Sequence, residues 1–403
     1  MRHTHYDYIL AGGGGSGLSL LNHLLDSPTL SQKRILVVER AEKRANTQDR
    51  TWCFWERPDA DYLKSLPTAY SWSQVESLWR DKNFKREISP YQYYYLRSGD
   101  FYESVKKKAR SFAGITFLQA DIHQIIPDNN YPQVETSGGT FSADYIFSSL
   151  WDIRESKREA RHWLSQKFLG WFVHSETPIF DPETVRLMDF RADQSQFTQF
   201  FYVLPFSQTS ALIESTAFVP KGVSKPDFEG QLKDYLKESY GIENPKITLQ
   251  EAGNIPMTDF DFAKKHSQSR VIPIGTAGGA TKASTGYTFK NIQLHSQQII
   301  NRLERGKTPK AFHQKSRFAF YDTILLDLLK RPEAEAAEQI FGRLLHRPDR
   351  LFRFLDEKTT ILQEFQLFLQ LSWPPFLRAA YRQLRPRQSL TYVHSQKTVL
   401  SSS

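Results

Sequence analysis

Tyr6-Asp7-Tyr8-Ile9-Leu10-Ala11-Gly12-Gly13-Gly14-Gly15-Ser16-Gly17 is the stretch on which the reading of this chain turns. Residues 6–11 predict a short buried strand, and Leu18 to Leu25 predicts a helix closed by Ser27-Pro28. Arg34 to Glu39 (RILVVE) predicts a second buried strand. Strand, glycine turn, helix, strand is a βαβ unit with a parallel sheet. Gly12, Gly14 and Gly17 satisfy G-x-G-x-x-G, and Gly13, Gly15 and Ser16 complete the turn. Such glycines let the backbone turn tightly and approach a pyrophosphate, whose charge then sits at the helix N-terminus. Glu39 ends the next strand, where a carboxylate accepts hydrogen bonds from ribose hydroxyls and disfavours a 2′-phosphate. The unit predicts a dinucleotide site for FAD or NAD; a purely structural glycine turn is the competing reading.

A second glycine element, Gly275-Thr276-Ala277-Gly278-Gly279, follows a short apolar run, Arg270 to Gly275, and precedes Ser284-Thr285-Gly286-Tyr287 and a helix. A late strand–loop–helix unit suits FAD better than NAD, because its helix N-terminus can favour negative charge on a reduced flavin ring. The alternative is an ordinary βα turn. The predicted class is therefore α/β: a Rossmann-type FAD-binding fold of the two-dinucleotide kind, with a β-sheet substrate region and a helical C-terminal part.

Between these elements, Ser98 to Phe112 predicts an amphipathic helix. Residues 115–126, 133–136 and 140–147 predict the strands of a β-meander. From Gln166 to Val219 aromatic and polar positions alternate, which predicts a sheet forming one wall of a substrate site. A helix is expected from about Phe289 to Glu304, ended near Gly306, with mostly helical chain after it. These signals divide the chain at 1–150 (FAD-binding region), 151–255 (β-rich substrate region), 256–306 (second FAD-binding segment) and 307–403 (helical, basic region). Ser389 to Ser403 reads as a frayed polar tail.

Composition narrows the partners. Net charge is +9 and the pI about 9.3, which favours an anionic surface such as acidic lipid or a phosphate-bearing cofactor. No zinc-finger, RNP or basic-zipper pattern appears, so nucleic acid is not expected, and no metal site is predicted. Aromatic residues make up 14% of the chain, suited to wrapping a large apolar ligand or to a large aromatic core. The single cysteine, Cys53, excludes an intrachain disulfide and fits a reducing compartment. The N-terminus has no apolar signal region, and no run of about 18 apolar residues exists. A peripheral protein on the cytoplasmic side of a membrane, not a secreted one, is expected.

Three further segments make the chain resemble bacterial lycopene β-cyclases. They are Arg50-Thr51-Trp52-Cys53-Phe54-Trp55, Gln166-Lys167-Phe168-Leu169-Gly170, and Met188-Asp189-Phe190 followed by Phe201 to Ser207 and Leu212-Ile213-Glu214-Ser215-Thr216. With the glycine elements they run in the family's order from about residue 6 to 300. Ser215 and Ala283 depart from the family's usual acid and proline.

The resemblance implies a redox-neutral ring closure on lycopene, assisted by reduced FAD, with NAD(P)H as the flavin's reductant. A flavin-dependent monooxygenase or a prenyl-lipid reductase is the alternative. Glu214, in an apolar run, is the expected acid, because desolvation would keep its proton on near neutral pH. Asp189 is a second, weaker candidate, in a proton network with it, with a structural role as the competing reading. Trp52, Phe54, Trp55 and Tyr202 are expected to offer π faces to a cation, with core packing as the competing role of each. Arg97 and Ile122 join Gly12–Gly17, Glu39, Gly275, Thr276, Gly286 and Tyr287 in the expected cofactor set.

Overall fold

The computed structural model describes residues 4–40, 50–79, 82–262, 270–331 and 337–384. The chain opens with β1 (Thr4–Ala11), α1 (Gly15–Asp26) and β2 (Ile35–Glu39). Then come β3 (Thr51–Glu56), β4 (Tyr70–Trp72), β5 (Gln74–Trp79), β6 (Lys82–Glu87) and β7 (Gln92–Arg97). They lead through α2 (Ser98–Ala109) to β8 (Ile115–Gln119), β9 (Ile122–Ile126), β10 (Gln133–Thr136) and β11 (Gly139–Ser148).

A first sheet has the order β8-β2-β1-β11-β10-β9. Its central strands β1, β2 and β11 run parallel, and Ile9, Leu10, Ala11, Val37 and Val38 are all buried, as strands covered on both faces must be. Residues 115–126 are not one strand. The chain breaks at Ala120-Asp121, so β8 pairs parallel with β2 at one edge while β9 pairs with β10 at the other. The meander is β9-β10-β11 alone.

Next follow α3 (Ile153–Glu159), β12 (Trp163–His174), β13 (Thr184–Asp189), β14 (Gln199–Pro205), β15 (Ser210–Pro220), α4 (Phe228–Tyr240) and β16 (Lys246–Thr258). The second sheet has the order β16-β12-β15-β14-β13-β5-β6. Its last two strands come from residues 74–87, which leave the N-terminal region to pair with β13. Alternation along β15 sends Ala211 and Ile213 to the face covered by Leu232, Tyr235 and Leu236 of α4. Leu212 and Phe218 go to the opposite face, in the main core.

β17 (Val271–Pro273) rejoins the first sheet beside β11, and α5 (Phe289–Glu304) packs against α1 and β3. The C-terminal part is helical: α6 (Ser316–Leu329), α7 (Ala337–Leu345), α8 (Pro348–Leu355), α9 (Ile361–Phe368) and α10 (Trp373–Leu384). Residues 389–403 lie outside the described residues. The helices roof the inner face of the second sheet, where Phe341 stacks near Phe190 and Gly342 lies against the Trp79 indole.

A small sheet, β3-β7-β4, contributes to the core under the roof and to the core around α1 and α5. Beside it Lys290 of α5 is buried between Asp356, at 2.7 Å, and Glu56, at 3.2 Å. Asp356, just past α8, also accepts a hydrogen bond from Trp55 Nε1 at 2.9 Å. One buried cation thus ties α5, β3 and the roof together.

Candidate active site

The first glycine turn is forced by close packing. Gly12 has φ +113°, in the region that favours glycine, and a Cβ on Gly17 would stand 2.0 Å from the Gly12 carbonyl oxygen. Glu39 accepts the Gly13 N–H at 2.9 Å, so the acid at the end of β2 sits against the turn. No side chain caps the start of α1 and no acid occupies its first turn. Its N–H groups are left for an anion. A Cβ at Gly275 would meet Ser16 Oγ at 2.6 Å, so the second glycine element packs directly on the first.

Both elements line one cleft enclosing about 1630 Å³ of empty space, part of it open to solvent. Gly14, Gly15, Ser16, Gly275, Thr276, Gly286 and Tyr287 form one side. Gln166, Phe168, Tyr202, Leu212 and Glu214, from the inner face of the second sheet, form the other. Two buried polar atoms here, Gln166 Oε1 and Thr285 Oγ1, have no partner in the protein. Buried polar atoms are ordinarily satisfied, so they point to a polar ligand. The glycine cradle, the open helix start and these two acceptors fit a dinucleotide carrying a polar ring.

The inner face explains the acid. Register sets Tyr202, Glu214, Gly170 and Glu251 side by side on β14, β15, β12 and β16. Glu214 opens only into the cleft, and Thr216 donates to its Oε1 at 2.5 Å. Burial, then the charge of Glu251, pushes the Glu214 carboxyl up to about 8, against the smaller opposing pull of that hydrogen bond. Glu251 is itself pushed up to about 7 by burial, partly offset by the hydroxyl of Thr51, which donates to it at 2.8 Å.

Asp189 does not join this group. It pairs with Phe201 on β14, the neighbour of Glu214's partner Tyr202, so alternation puts the two acids on opposite faces of the sheet. Asp189 is wholly buried and held by Arg191 at 2.5 Å, by the Tyr235 hydroxyl at 2.7 Å and by Arg186 at 3.4 Å. That is a clamp onto α4, on the face of the sheet away from Glu214.

The aromatics of β3 divide by alternation too. Trp52 lines the cleft, packs on Gly15 and stacks on Phe289 at 4.9 Å. Phe54 points the same way but is sealed in the core against Tyr94 and Phe289. Trp55, on the other face of the strand, stacks on Phe352 at 4.7 Å. Of the remaining expected residues, Arg97 ends β7 exposed, 3.7 Å from Asp100, and Ile122 packs at the edge of the first sheet. Neither lines the cleft.

A second cavity, about 1270 Å³ of empty space, adjoins the first at Thr285 and Tyr287. Its walls are almost wholly apolar: Trp55, Leu187 and Met188 below, and Ile324, Phe341, Phe352, Phe368 and Phe376 from the helical roof. At the junction the Tyr287 and Tyr93 hydroxyls lie 3.1 Å apart. Sequence reasoning missed Tyr93, Glu251 and this cavity. The tyrosine run Gln92-Tyr93-Tyr94-Tyr95 was a strand signal for Tyr93, whereas Glu251 depends on strand register that the sequence does not display.

This arrangement has known counterparts. Solved structures of similar fold include a geranylgeranyl bacteriochlorophyll reductase-like protein from Thermoplasma acidophilum, at 12% identity and a TM-score of 0.60, over 94% of this chain and 98% of that one. A flavoprotein/dehydrogenase from Cytophaga hutchinsonii has 10% identity and a TM-score of 0.58, over 91% and 98%. The flavin-dependent brominase Bmp2 has 13% identity and a TM-score of 0.54, over 94% and 98%. The fold is that of FAD-binding flavoproteins. In sequence, the chain is 25% identical over 291 residues to a lycopene beta-cyclase from Pantoea ananas, 71% of each protein. The model of the family described as lycopene cyclase protein matches residues 7–381, and the chain belongs to that family.

Proposed function

We propose that this chain closes β-ionone rings on the ends of lycopene, through γ-carotene to β-carotene, with no net redox change. The observation that carries the reading is Glu214: a carboxyl pushed up to about 8, facing a cleft that adjoins a long apolar cavity. Protonating a hydrocarbon alkene needs an acid that keeps its proton at neutral pH and a site without water to trap the cation. The Glu214 O–H bond breaks as its proton forms a C–H bond with the terminal alkene. A second alkene of the same chain attacks the tertiary cation. One C–H bond of the new ring then breaks, its electron pair becoming the double bond inside the ring and its proton leaving to a base in the cleft, while Glu214 takes one up again. Protons and electrons balance.

The glycine cradle suits FAD: Gly12–Gly17, Glu39, Gly275, Thr276, Gly286 and Tyr287 would hold it, and the Gln166 amide and Thr285 hydroxyl would offer it polar contacts. In its reduced form it would supply an electron-rich face beside the developing charge. NAD(P)H serves to reduce it and is not consumed ring by ring. Tyr202, Trp52 and Tyr287 line the cleft and would offer aromatic surface to the cation, and the apolar cavity under the helical roof would house the rest of the polyene.

The substrate lives in lipid, and the reading has the enzyme on the cytoplasmic face of a membrane as a peripheral protein. Among the described residues, no helix is long and apolar enough to cross one. Support comes from α9 and α10, where Ile361, Leu362, Phe365, Leu369, Trp373 and Leu377 are exposed. Trp373 and Leu377 also line the apolar cavity, so its rim is this patch. Exposed apolar surface so continuous marks an interaction site, and the chain's positive charge suits anionic headgroups.

Expression in a lycopene-making bacterium followed by pigment analysis tests the reading. Appearance of γ- and β-carotene is expected, and unchanged lycopene overturns it. NAD(P)H consumed in proportion to product would instead identify a reductase or monooxygenase.

A further inference from the structure

We propose that Glu251 is a positioning residue for Glu214: across Gly170, which has no side chain, the two carboxyl groups form one proton-sharing unit, and Thr51 orients the second member. This rests on the reading of Glu214 as the acid. β12 separates β15 from β16, so the two glutamates start about 10 Å apart at their backbones, two strand spacings. Glu251 narrows that gap by leaning over Gly170. A Cβ added there would stand 3.1 Å from Glu251 Cγ and 3.0 Å from Leu212 Cδ1. Any side chain on Gly170 would push Glu251 away.

The surroundings leave the pair as the main titrating element at neutral pH. Facing it are Thr51 and Cys53 from β3, Tyr93 and Tyr95 from β7, Tyr202 from β14 and Tyr287 from the loop before α5, with Arg50 lining the same cleft. Burial pushes Cys53 and the four tyrosines up, so all five stay neutral. Two acids in one poorly hydrated site do not both ionise readily, and their titration belongs to the pair. With Thr51 donating to Glu251, the second acid is the readier to give up its proton, and its negative charge keeps the first one loaded.

The test is a carboxyl titration by infrared difference spectroscopy on purified, flavin-loaded protein, comparing wild type with Glu214→Gln, Glu251→Gln and Thr51→Val. The Glu214 signal, identified by its loss in Glu214→Gln, should lose its proton at lower pH in Glu251→Gln, by on the order of one unit. Thr51→Val should shift it the same way but less, since Glu251 without its donor is less often ionised. The alkaline limb of cyclisation should move with the titration. An unmoved Glu214 midpoint in Glu251→Gln, with flavin still bound, overturns the pairing; should that variant fail to fold, an unmoved midpoint in Thr51→Val does so. A shifted midpoint in a protein that forms no cyclic carotene upholds the pairing and removes only the cyclase reading.

Discussion

Glu214 combines two conflicting demands, an acid in an apolar site and a site that must fold around it. A carboxyl pushed from 4.5 up to about 8 is protonated below that pH and charged above it. On the proposed reading Glu214 works in its protonated form, so cyclisation should persist at neutral pH and fall away as pH rises through about 8. A rate–pH profile of flavin-loaded protein checks this. The same shift enters stability: the raised folded-state value means the contribution is complete below the ordinary carboxyl value and lost as pH rises through the folded one. Glu214→Gln removes that loss. Its melting temperature should drop less than wild type's between pH 5 and 9, by a few degrees, while flavin stays bound and cyclic product falls about a hundredfold or more. Asp189 calls for the opposite expectation. Asp189→Ala takes from Arg191 its carboxylate and leaves Arg186 with Glu76 as its remaining one, beside a Tyr235 hydroxyl without its acceptor, which should cost roughly 3 kcal/mol in chemical denaturation. Molecules that still fold should cyclise at near wild-type rates.

At the level of elements, the chain declares what is local. β1, the glycine turn, α1 and β2 were legible because the run Tyr6 to Glu39 contains everything that fixes them. Helix α5 and its end near Gly306 were legible for the same reason. Pairing across long separations was not. Nothing in residues 74–87 says that they leave the first region to pair with β13. Nothing in Lys246 to Thr258 says that Glu251 will lie one strand from Gly170. The alternation along β3 was readable, yet which of its faces meets the cleft depends on where β7 and α5 come to rest. Trp52 and Phe54 share one face, and it is the packing of Tyr94 and Phe289 over Phe54 that makes it core while Trp52 reaches the cleft. The glycine turn offers the sharpest element-scale test. Gly17→Ala puts a methyl on the Gly12 carbonyl and must open the turn, so purified protein should lose its flavin absorbance, at a stability cost of about 2 kcal/mol.

Across the whole molecule, the polar cleft and the apolar cavity are separate rooms that meet at Tyr287 and Thr285. The far room opens where α9 and α10 expose their apolar side chains. Replacing Leu362 and Leu377 together by Glu should weaken sedimentation with anionic vesicles by tenfold or more, since each buried leucine contributes about 2 kcal/mol. Turnover of substrate presented in vesicles should fall in parallel, with detergent-presented substrate much less affected. Residual binding should weaken as salt is raised.

The Lys290 cluster has a consequence for how the two rooms communicate. Its ammonium is carried by the helix that starts beside the cofactor cradle, and its counter-charges belong to the strand of Trp55 and to the turn after α8. Whatever stiffens that helix start should therefore be felt as tension on the helical roof. Saturation with FAD should slow protease cleavage of the segment around residues 356–360, and Lys290→Met should abolish that protection even where the yellow colour is retained.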